Sequence, residues 1–408
     1  MSTKKFLHTA DWHLGKRLLE YSRLPEQERV MNELVELADA QAVDAVLVAG
    51  DLFDVFQPSH EAQDLFYKTL FRLSSNGRRP VVAIAGNHDS HALVEAPLPL
   101  SRELGIFLLG ADSRPITEIV NSAGIKIQSP ENGIVLIDFP DGDKADIIVA
   151  PYANESLLRT YLGKENAQEM LRTILKTQWH NHAQHYFRKE STRIFMGHFF
   201  FMREGSLKEE EPEGERSILH VGGVEALFTE DLPNGLDYAA LGHLHRYQTV
   251  DNRAFPVVYS SSPLAYSFSE ADQTKYAVIY DSGEKTYIAH PLNSGYPLIR
   301  KRFESNDDAI EWLIHHQECY VELTLVTDDA IESAVRSSLY KAHPRIVHLI
   351  PERRGGANEE SMKVGAADLE LSTEELFAKY FQSRTGQTLN AELLEAFREI
   401  KAKKGGNA

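Results

Sequence analysis

The sequence predicts an α/β protein built on a buried parallel sheet, and three observations predict it. Residues 43–50 form a short apolar, β-branched run without alternation, as expected of a strand covered on both faces. Two similar runs, residues 6–10 and 81–85, stand on either side of it in the chain. Between them lie two stretches of helical periodicity, residues 25–42 (Val30, Leu34, Leu37, Ala38) and residues 60–74. Strand–helix–strand–helix–strand order implies parallel pairing with helices on both faces of the sheet.

The elements after that core follow in order. Residues 106–138 read as shorter strands with turns at 121–124 and 131–133, and residues 146–152 as another buried strand. A helix is expected over 166–189 and strands over 192–196, 236–241, 257–260 and 276–280, which complete a first domain of residues 1–290. Residues 208–215 are acidic, contain proline and glycine and show no apolar period, so they read as a solvated loop. From residue 291 the pattern changes to a small α/β domain ending at 352, with helices over 307–315 and 329–342 and strands over 320–325 and 346–350. Residues 353–368 are polar and glycine-containing, a linker. In the final segment, 369–408, Ser372 with Glu375 three residues on forms a capping box for a helical pair. That pair carries Leu376, Phe377, Tyr380, Phe381, Leu393, Leu394, Phe397 and Ile400. So apolar a face with so little chain left to cover it signals a partner.

Composition narrows the function. The 408 residues are 42% apolar and 25% charged, ordinary for a globular chain with a sizeable core. No apolar run approaches the length that spans a bilayer, and the start from Met1 to His8 leads into a strand without a leader-like apolar region. The single cysteine, Cys319, excludes an intrachain disulfide and suits a reducing compartment, so the expectation is cytoplasmic. A formal charge of −17 excludes a broadly basic surface for nucleic acid. It leaves room for phosphate chemistry at a carboxylate-rich site, where bound divalent cations reverse the local sign.

Five short clusters carry the chemistry: Asp11-x-His13, Gly50-Asp51-x-x-Asp54, Gly86-Asn87-His88-Asp89, Gly197-His198 and Gly242-His243-x-His245. Four of them directly follow an expected strand, which is where open α/β sheets place ligands. Carboxylate, amide oxygen and imidazole together suit Mn²⁺, Fe²⁺ or Zn²⁺. In an Asp-x-His or His-x-His pair on extended chain both side chains share a face and reach one site. Asp51, just past its strand, is the candidate bridge, one oxygen towards each of two metals. Two such ions serve in-line displacement at phosphorus by activating a water and neutralising the equatorial oxygens. His88, with Asp89 beside it to hold the ring, is the candidate proton donor that binds no metal. His180, His182 and His185 on a polar helix face, and His315 and His316 in the small domain, read as solvated.

In this series the five clusters resemble the calcineurin-like metallophosphoesterases over the first domain. Within them the chain is similar to the double-strand-break repair nuclease family across its whole length. The strings that carry the likeness are His8-Thr9-Ala10-Asp11-Trp12-His13-Leu14-Gly15, Gly50-Asp51-Leu52-Phe53-Asp54, Gly86-Asn87-His88-Asp89-Ser90 and Ala240-Leu241-Gly242-His243-Leu244-His245-Arg246, with Glu213-Gly214-Glu215-Arg216 before Val221-Gly222-Gly223. The resemblance implies a four-layer β-sandwich flanked by helices, a small α/β capping domain and C-terminal helices. It implies two Mn²⁺, one held by Asp11, His13, Asp51 and His245 and the other by Asp51, Asn87, His198 and His243, with His88 catalytic and supported by Asp89. It further implies a nuclease that is both 3′→5′ exonuclease and endonuclease, a coiled-coil ATPase partner bound by the last helices, and a homodimer inside a heterotetramer. Residues Leu65, Phe66, Leu70 and Phe71 read first as core. Two departures stand out. Asp54 occupies a position where some relatives carry histidine, and is expected to orient a ligand histidine. Ser260-Ser261-Ser262-Pro263 stands where relatives show Gly-Ser-Pro. A small-ester phosphatase and a non-catalytic scaffold are the competing readings.

Overall fold

The computed structural model describes residues 3–153, 167–206, 226–328 and 330–354, together with Glu374, Phe377, Leu393, Leu394 and Phe397. Among the described residues the first sheet runs Thr286–Leu292, Lys275–Asp281, Lys5–Thr9, Ala45–Val48, Val81–Ile84, Ile106–Leu109. The last four strands are parallel, and the hairpin Lys275–Asp281/Thr286–Leu292 adds antiparallel to Lys5–Thr9. The second sheet runs Gln248–Asp251, Val257–Tyr259, Tyr238–Gly242, Thr192–His198, Lys144–Ala150, Ile134–Asp138, Lys126–Ser129, Ile116–Val120.

Alternation along the first sheet shows what covers each face. Leu7, Val46, Val48, Val81 and Ala83 pack against Val30, Leu34, Phe66 and Leu70 of helices Leu24–Ala40 and His60–Leu73. Phe6, Ala45, Leu47, Val82 and Ile84 instead meet Val135, Ile147, Ile194, Met196 and Ala240 of the second sheet. Helices on both faces of one sheet is therefore corrected: a continuous apolar strand reports burial on two sides, not the kind of element that supplies it. The outer face of the second sheet, with Ile148, Phe195, Ala239 and Leu241, packs on Leu171, Leu175 and Trp179 of helix Ala167–Tyr186. The order helix, sheet, sheet, helix is the four-layer β-sandwich flanked by helices.

Caps and turns set the element ends. Pro25 stands in the first turn of the first helix, where a missing N–H costs nothing. Ser59 caps the second by accepting from the Ala62 N–H. His8, at the centre of the sandwich, joins the sheets: its ring nitrogens meet the Tyr238 hydroxyl at 2.9 Å and the Leu241 carbonyl at 3.1 Å.

A three-stranded sheet of Leu298–Phe303, Tyr320–Thr327 and Ile346–Arg353 carries helices Asn306–His315 and Ser333–Ala342. Its first strand escaped the sequence reading because Arg300-Lys301-Arg302 breaks the apolar signal on an exposed edge. This sheet is keyed to the sandwich through Glu26, paired in the interior with Arg23. The Glu26 carboxylate accepts from the Tyr320 hydroxyl at 2.9 Å and the Tyr296 N–H at 2.8 Å. Residues 326–330 and 352–408 form a second compact unit. Within it Glu374, Phe377, Leu393, Leu394 and Phe397 are helical, and the rings of Phe377 and Phe397 stack 4.1 Å apart. The loop at 208–215, the strings at 213–223, most of the linker and the rest of the final helical pair lie outside the described residues. Among the described residues no helix is long and apolar enough to cross a membrane.

Candidate metal centre

All five clusters leave the carboxyl ends of strands at one edge of the sandwich, three from the first sheet and two from the second. Past its strands the first sheet continues as a short main-chain ladder: Asp11 N–H to Gly50 O (2.9 Å), His13 N–H to Asp51 O (2.9 Å), Leu14 N–H to Leu52 O (3.0 Å). The chain along it is not extended. Asp11, His13 and Asp51 have φ of +55°, +43° and +50°, and His243 has +103°. The expected route, alternate residues of an extended chain sharing a face, is thus corrected. Left-handed turns deliver these side chains, at about 1–3 kcal/mol of strain apiece, and Asp and His are among the residues that tolerate them best.

Two glycines allow close approach, Gly242 between the two sheets and Gly86 between adjacent loops of the first. A Cβ on Gly242 would lie 1.9 Å from the Ala49 carbonyl oxygen, and one on Gly86 would lie 2.1 Å from Asp51 Oδ1. No side chain fits at either place.

The seven residues expected to hold metal come together. Asp51 Oδ2 lies 3.5 Å from His13 Nε2 and 3.4 Å from His198 Nε2, between the two sheets' contributions. Asp51 Oδ1 accepts the His88 N–H at 2.9 Å, so one oxygen, not one each, faces both halves. On one side His13 Nε2 and His245 Nε2 point at each other across 3.0 Å, with Asp11 in the same cluster. On the other, Asn87 Oδ1 meets His198 Nε2 at 2.9 Å and His243 Nδ1 at 3.1 Å. Asp11 Oδ1 accepts the His243 N–H at 2.9 Å, which ties the second sheet's loop to the first.

Asp11 Oδ2, His13 Nδ1 and the Asn87 amide nitrogen are buried without a hydrogen-bond partner. Burial pushes the Asp11 carboxyl up to about 7. Burial also opposes ionisation of Asp51, but the adjacent imidazoles of His198 and His13 hold it well below the ordinary carboxylate range. His198 answers in kind: burial lowers it, yet the Asp51 carboxylate carries it up to about 9. Buried carboxylates and imidazoles crowded this closely can cage a divalent cation, whose charge would relieve both. The residues fit such ions.

His88 and Asp89 stand differently from expectation. Asp89 makes no hydrogen bond to the His88 ring. Its two oxygens accept the N–H groups of Gly86 (2.8 Å), Leu52 (3.0 Å) and Phe53 (2.9 Å), clamping one loop to the next. The His88 ring is held by the Asp54 main chain, Nδ1 donating to its carbonyl at 3.0 Å. The Asp54 carboxylate takes Lys16 at 2.6 Å and lies 3.8 Å from His13 Nδ1, beyond hydrogen-bonding reach. Of the histidines read as solvated, His182 is 1% exposed: the helix lays it over Gly133, where a Cβ would meet its ring at 2.6 Å.

Sequence reasoning missed the braces. Gln27 donates to the His13 carbonyl at 2.7 Å and accepts the Gly15 N–H at 2.9 Å. The Tyr266 hydroxyl donates to the Trp12 carbonyl, and its ring edge meets His13. Glu270, 4% exposed, lies 3.4 Å from His245 Nδ1 and binds Lys275 at 2.6 Å. None of these follows a strand–glycine signal that would have found it.

A double-sheet sandwich with a histidine–carboxylate cage at one edge defines a class, the calcineurin-like phosphoesterases, and the model of that family matches residues 4–247. A second family model, described as the type 5 capsule protein repressor C-terminal domain, matches residues 297–385. The chain is 33% identical over 408 residues to the D subunit of nuclease SbcCD from Bacillus subtilis (strain 168), covering 97% of each chain. It is 29% identical over 398 residues to the Escherichia coli (strain K12) protein of the same name, 91% of each. Against that of Rhodobacter capsulatus it is 34% identical over 304 residues, 72% of this chain and 71% of the other. The chain belongs to the calcineurin-like phosphoesterases, in the family of the SbcCD D subunits. It is a metal-dependent phosphoester hydrolase.

Proposed function

We propose that this chain is the DNA nuclease component of an SbcCD-type complex, Mn²⁺-dependent, acting as 3′→5′ exonuclease on duplex ends and as endonuclease on single strands and hairpins. In this reading its residues 369–408 bind an SbcC-type coiled-coil ATPase, two copies pair within a heterotetramer, and the complex works in the cytoplasm on broken DNA. The ATP belongs to the partner. The observation that carries the reading is Asp51 Oδ2 set between His13 and His198, a bridge with a donor set on each side.

Asp11, His13, Asp51 and His245 would hold one cation and Asp51, Asn87, His198 and His243 the other. Two divalent cations, when bound, supply Lewis acidity and neutralise charge on the phosphoryl oxygens. The chain's own work is positional. Asp51 holds the two halves at a fixed spacing, because its other oxygen is anchored on the His88 N–H. Nδ1 of His88 carries a proton, since the Asp54 carbonyl can only accept, so Nε2 is the atom turned to the substrate. With a second proton there the imidazolium gives it from Nε2 to the leaving oxygen as general acid and is left as the neutral ring, its Nδ1 proton still on the Asp54 carbonyl. Asp89 keeps the two loops that carry Asp51 and His88 in register.

The test is cleavage of a linear duplex and a DNA hairpin in Mn²⁺ and in Mg²⁺, with and without the ATPase and ATP, for wild type and Asp51→Asn. The expected outcome is Mn²⁺-dependent cleavage that falls by roughly a thousandfold in Asp51→Asn. Turnover of a small phosphate ester without DNA cleavage would replace the nuclease by a phosphatase. Inactivity on both would leave a scaffold.

A further inference from the structure

His245 is gripped at both ends by one buried ion pair. Glu270 Oε1 faces its ring Nδ1 at 3.4 Å, and Lys275 Nζ donates to its carbonyl at 2.7 Å. The pair closes on itself at 2.6 Å through Glu270 Oε2, with Glu270 and Lys275 only 4% and 5% exposed. Glu270 is itself fixed: Oε1 also accepts from the Tyr266 N–H at 3.3 Å and the Ser267 hydroxyl at 3.0 Å. Burying two charges is costly, and a pair placed here without a task would be replaceable by apolar side chains. His198, in the opposite half of the centre, has a main-chain carbonyl at hydrogen-bonding distance instead, the carboxylate of Asp11 standing farther from the same nitrogen at 3.9 Å. Its Nδ1 rests on the Ala49 carbonyl at 2.8 Å, as His88 Nδ1 rests on that of Asp54.

We infer that Glu270 is the positioning residue of one cation site and makes the two sites unequal. A carboxylate at Nδ1 fixes the proton there and leaves the Nε2 lone pair of His245 aimed at His13 Nε2, 3.0 Å away. It also adds one negative charge just behind the ligand, raising its basicity. Lys275 closes the ion pair with Glu270 and anchors the main chain that carries the ring. The cation held by Asp11, His13, Asp51 and His245 is therefore the tighter of the two. The inference rests on the two-metal reading above.

The test is Mn²⁺ binding, by calorimetry and by electron paramagnetic resonance, to wild type, Glu270→Gln and the double variant Glu270→Gln/Lys275→Met. The melting midpoint of each metal-free protein is measured alongside. Wild type is expected to take two equivalents in separable steps. Uptake of fewer than two would end the two-metal reading itself. Glu270→Gln should weaken the tighter equivalent by about tenfold or more and leave the other within about threefold. The double variant removes both buried charges together and should melt near wild type while keeping the weakened step. Equal effects on both steps, loss of the weaker step only, no effect, or restored binding in the double variant would each overturn the assignment. In the last case the pair would serve the fold alone.

Discussion

The two halves of the metal centre are held in different ways. Asp11, His13, Asp51, Asn87 and His88 come from the first sheet, where main-chain hydrogen bonds between adjacent loops fix Asp11, His13 and Asp51 and the Asp51 carboxylate holds the His88 N–H. His198, His243 and His245 come from the second sheet and are fixed by reaching across: His198 to the Ala49 carbonyl, the His243 N–H to Asp11, His245 to Glu270. The first half is a property of one sheet's edge. The second exists only while the sheets keep their spacing. A change that forces the sheets apart should therefore damage the second half first. Gly242→Ala is that change, since its Cβ would meet the Ala49 carbonyl at 1.9 Å and the Ala10 Cβ at 2.9 Å. We expect a loss of at least about 3 kcal/mol in denaturant unfolding, with Mn²⁺ uptake lost even where the variant folds. Uptake of two equivalents by a stable Gly242→Ala protein would show that the spacing is slack.

Within the first half, His88 and Asp89 are neighbours in sequence with separate tasks. His88→Asn should leave stability and Mn²⁺ uptake unchanged and lower cleavage by about 10²–10⁴-fold. Asp89→Asn turns an amide N–H₂ towards main-chain N–H groups that now share two oxygens, and should cost about 1–3 kcal/mol of stability. If Asp89 instead served the His88 ring, the two variants would share one phenotype, a slow enzyme of normal melting temperature.

The same contrast explains what could be read in the chain. Each ligand cluster sits directly after a strand or beside a glycine, so a local signal marked Asp11, Asp51, Asn87, His198 and His243, and the order of strands and helices implied the first sheet. Glu270 and Lys275 carry no such mark. They matter because the hairpin Lys275–Asp281/Thr286–Leu292 joins the first sheet beside Lys5–Thr9 and brings that loop under His245. That pairing is made over a separation no periodicity reports. His182 failed for a related reason: a histidine among polar neighbours on a helix looks solvated until a glycine at 133 opens a berth for it. Ser261 went the other way. The departure from glycine was visible, and the structure shows the serine taking a left-handed φ of +82° while its hydroxyl accepts the Tyr276 N–H at 2.9 Å.

The seam between the sheets has its own titrating group, and pH can separate it from the cage. Burial brings His8 down to about 3 from the ordinary 6.5, so the folded protein keeps it neutral between Tyr238 and Leu241. The Leu241 carbonyl can only accept, which places the proton on Nε2 and lets Nδ1 accept from the tyrosine. The unfolded chain binds a proton at this residue below about pH 6.5, and the folded chain does so only near pH 3. Its contribution is therefore complete above pH 6.5 and drains away as pH falls through that window, by up to about 1.4 kcal/mol per pH unit. His8→Gln keeps a donor for Leu241 and removes the titration. Unfolding free energies of chelator-treated wild type and His8→Gln, measured from pH 7.5 to 4.5, should converge on acidification, the variant being the weaker at neutral pH and nearly level with wild type at the acid end. Parallel curves would mean that the seam is open to water and that the second half of the centre owes its spacing to something other than this contact.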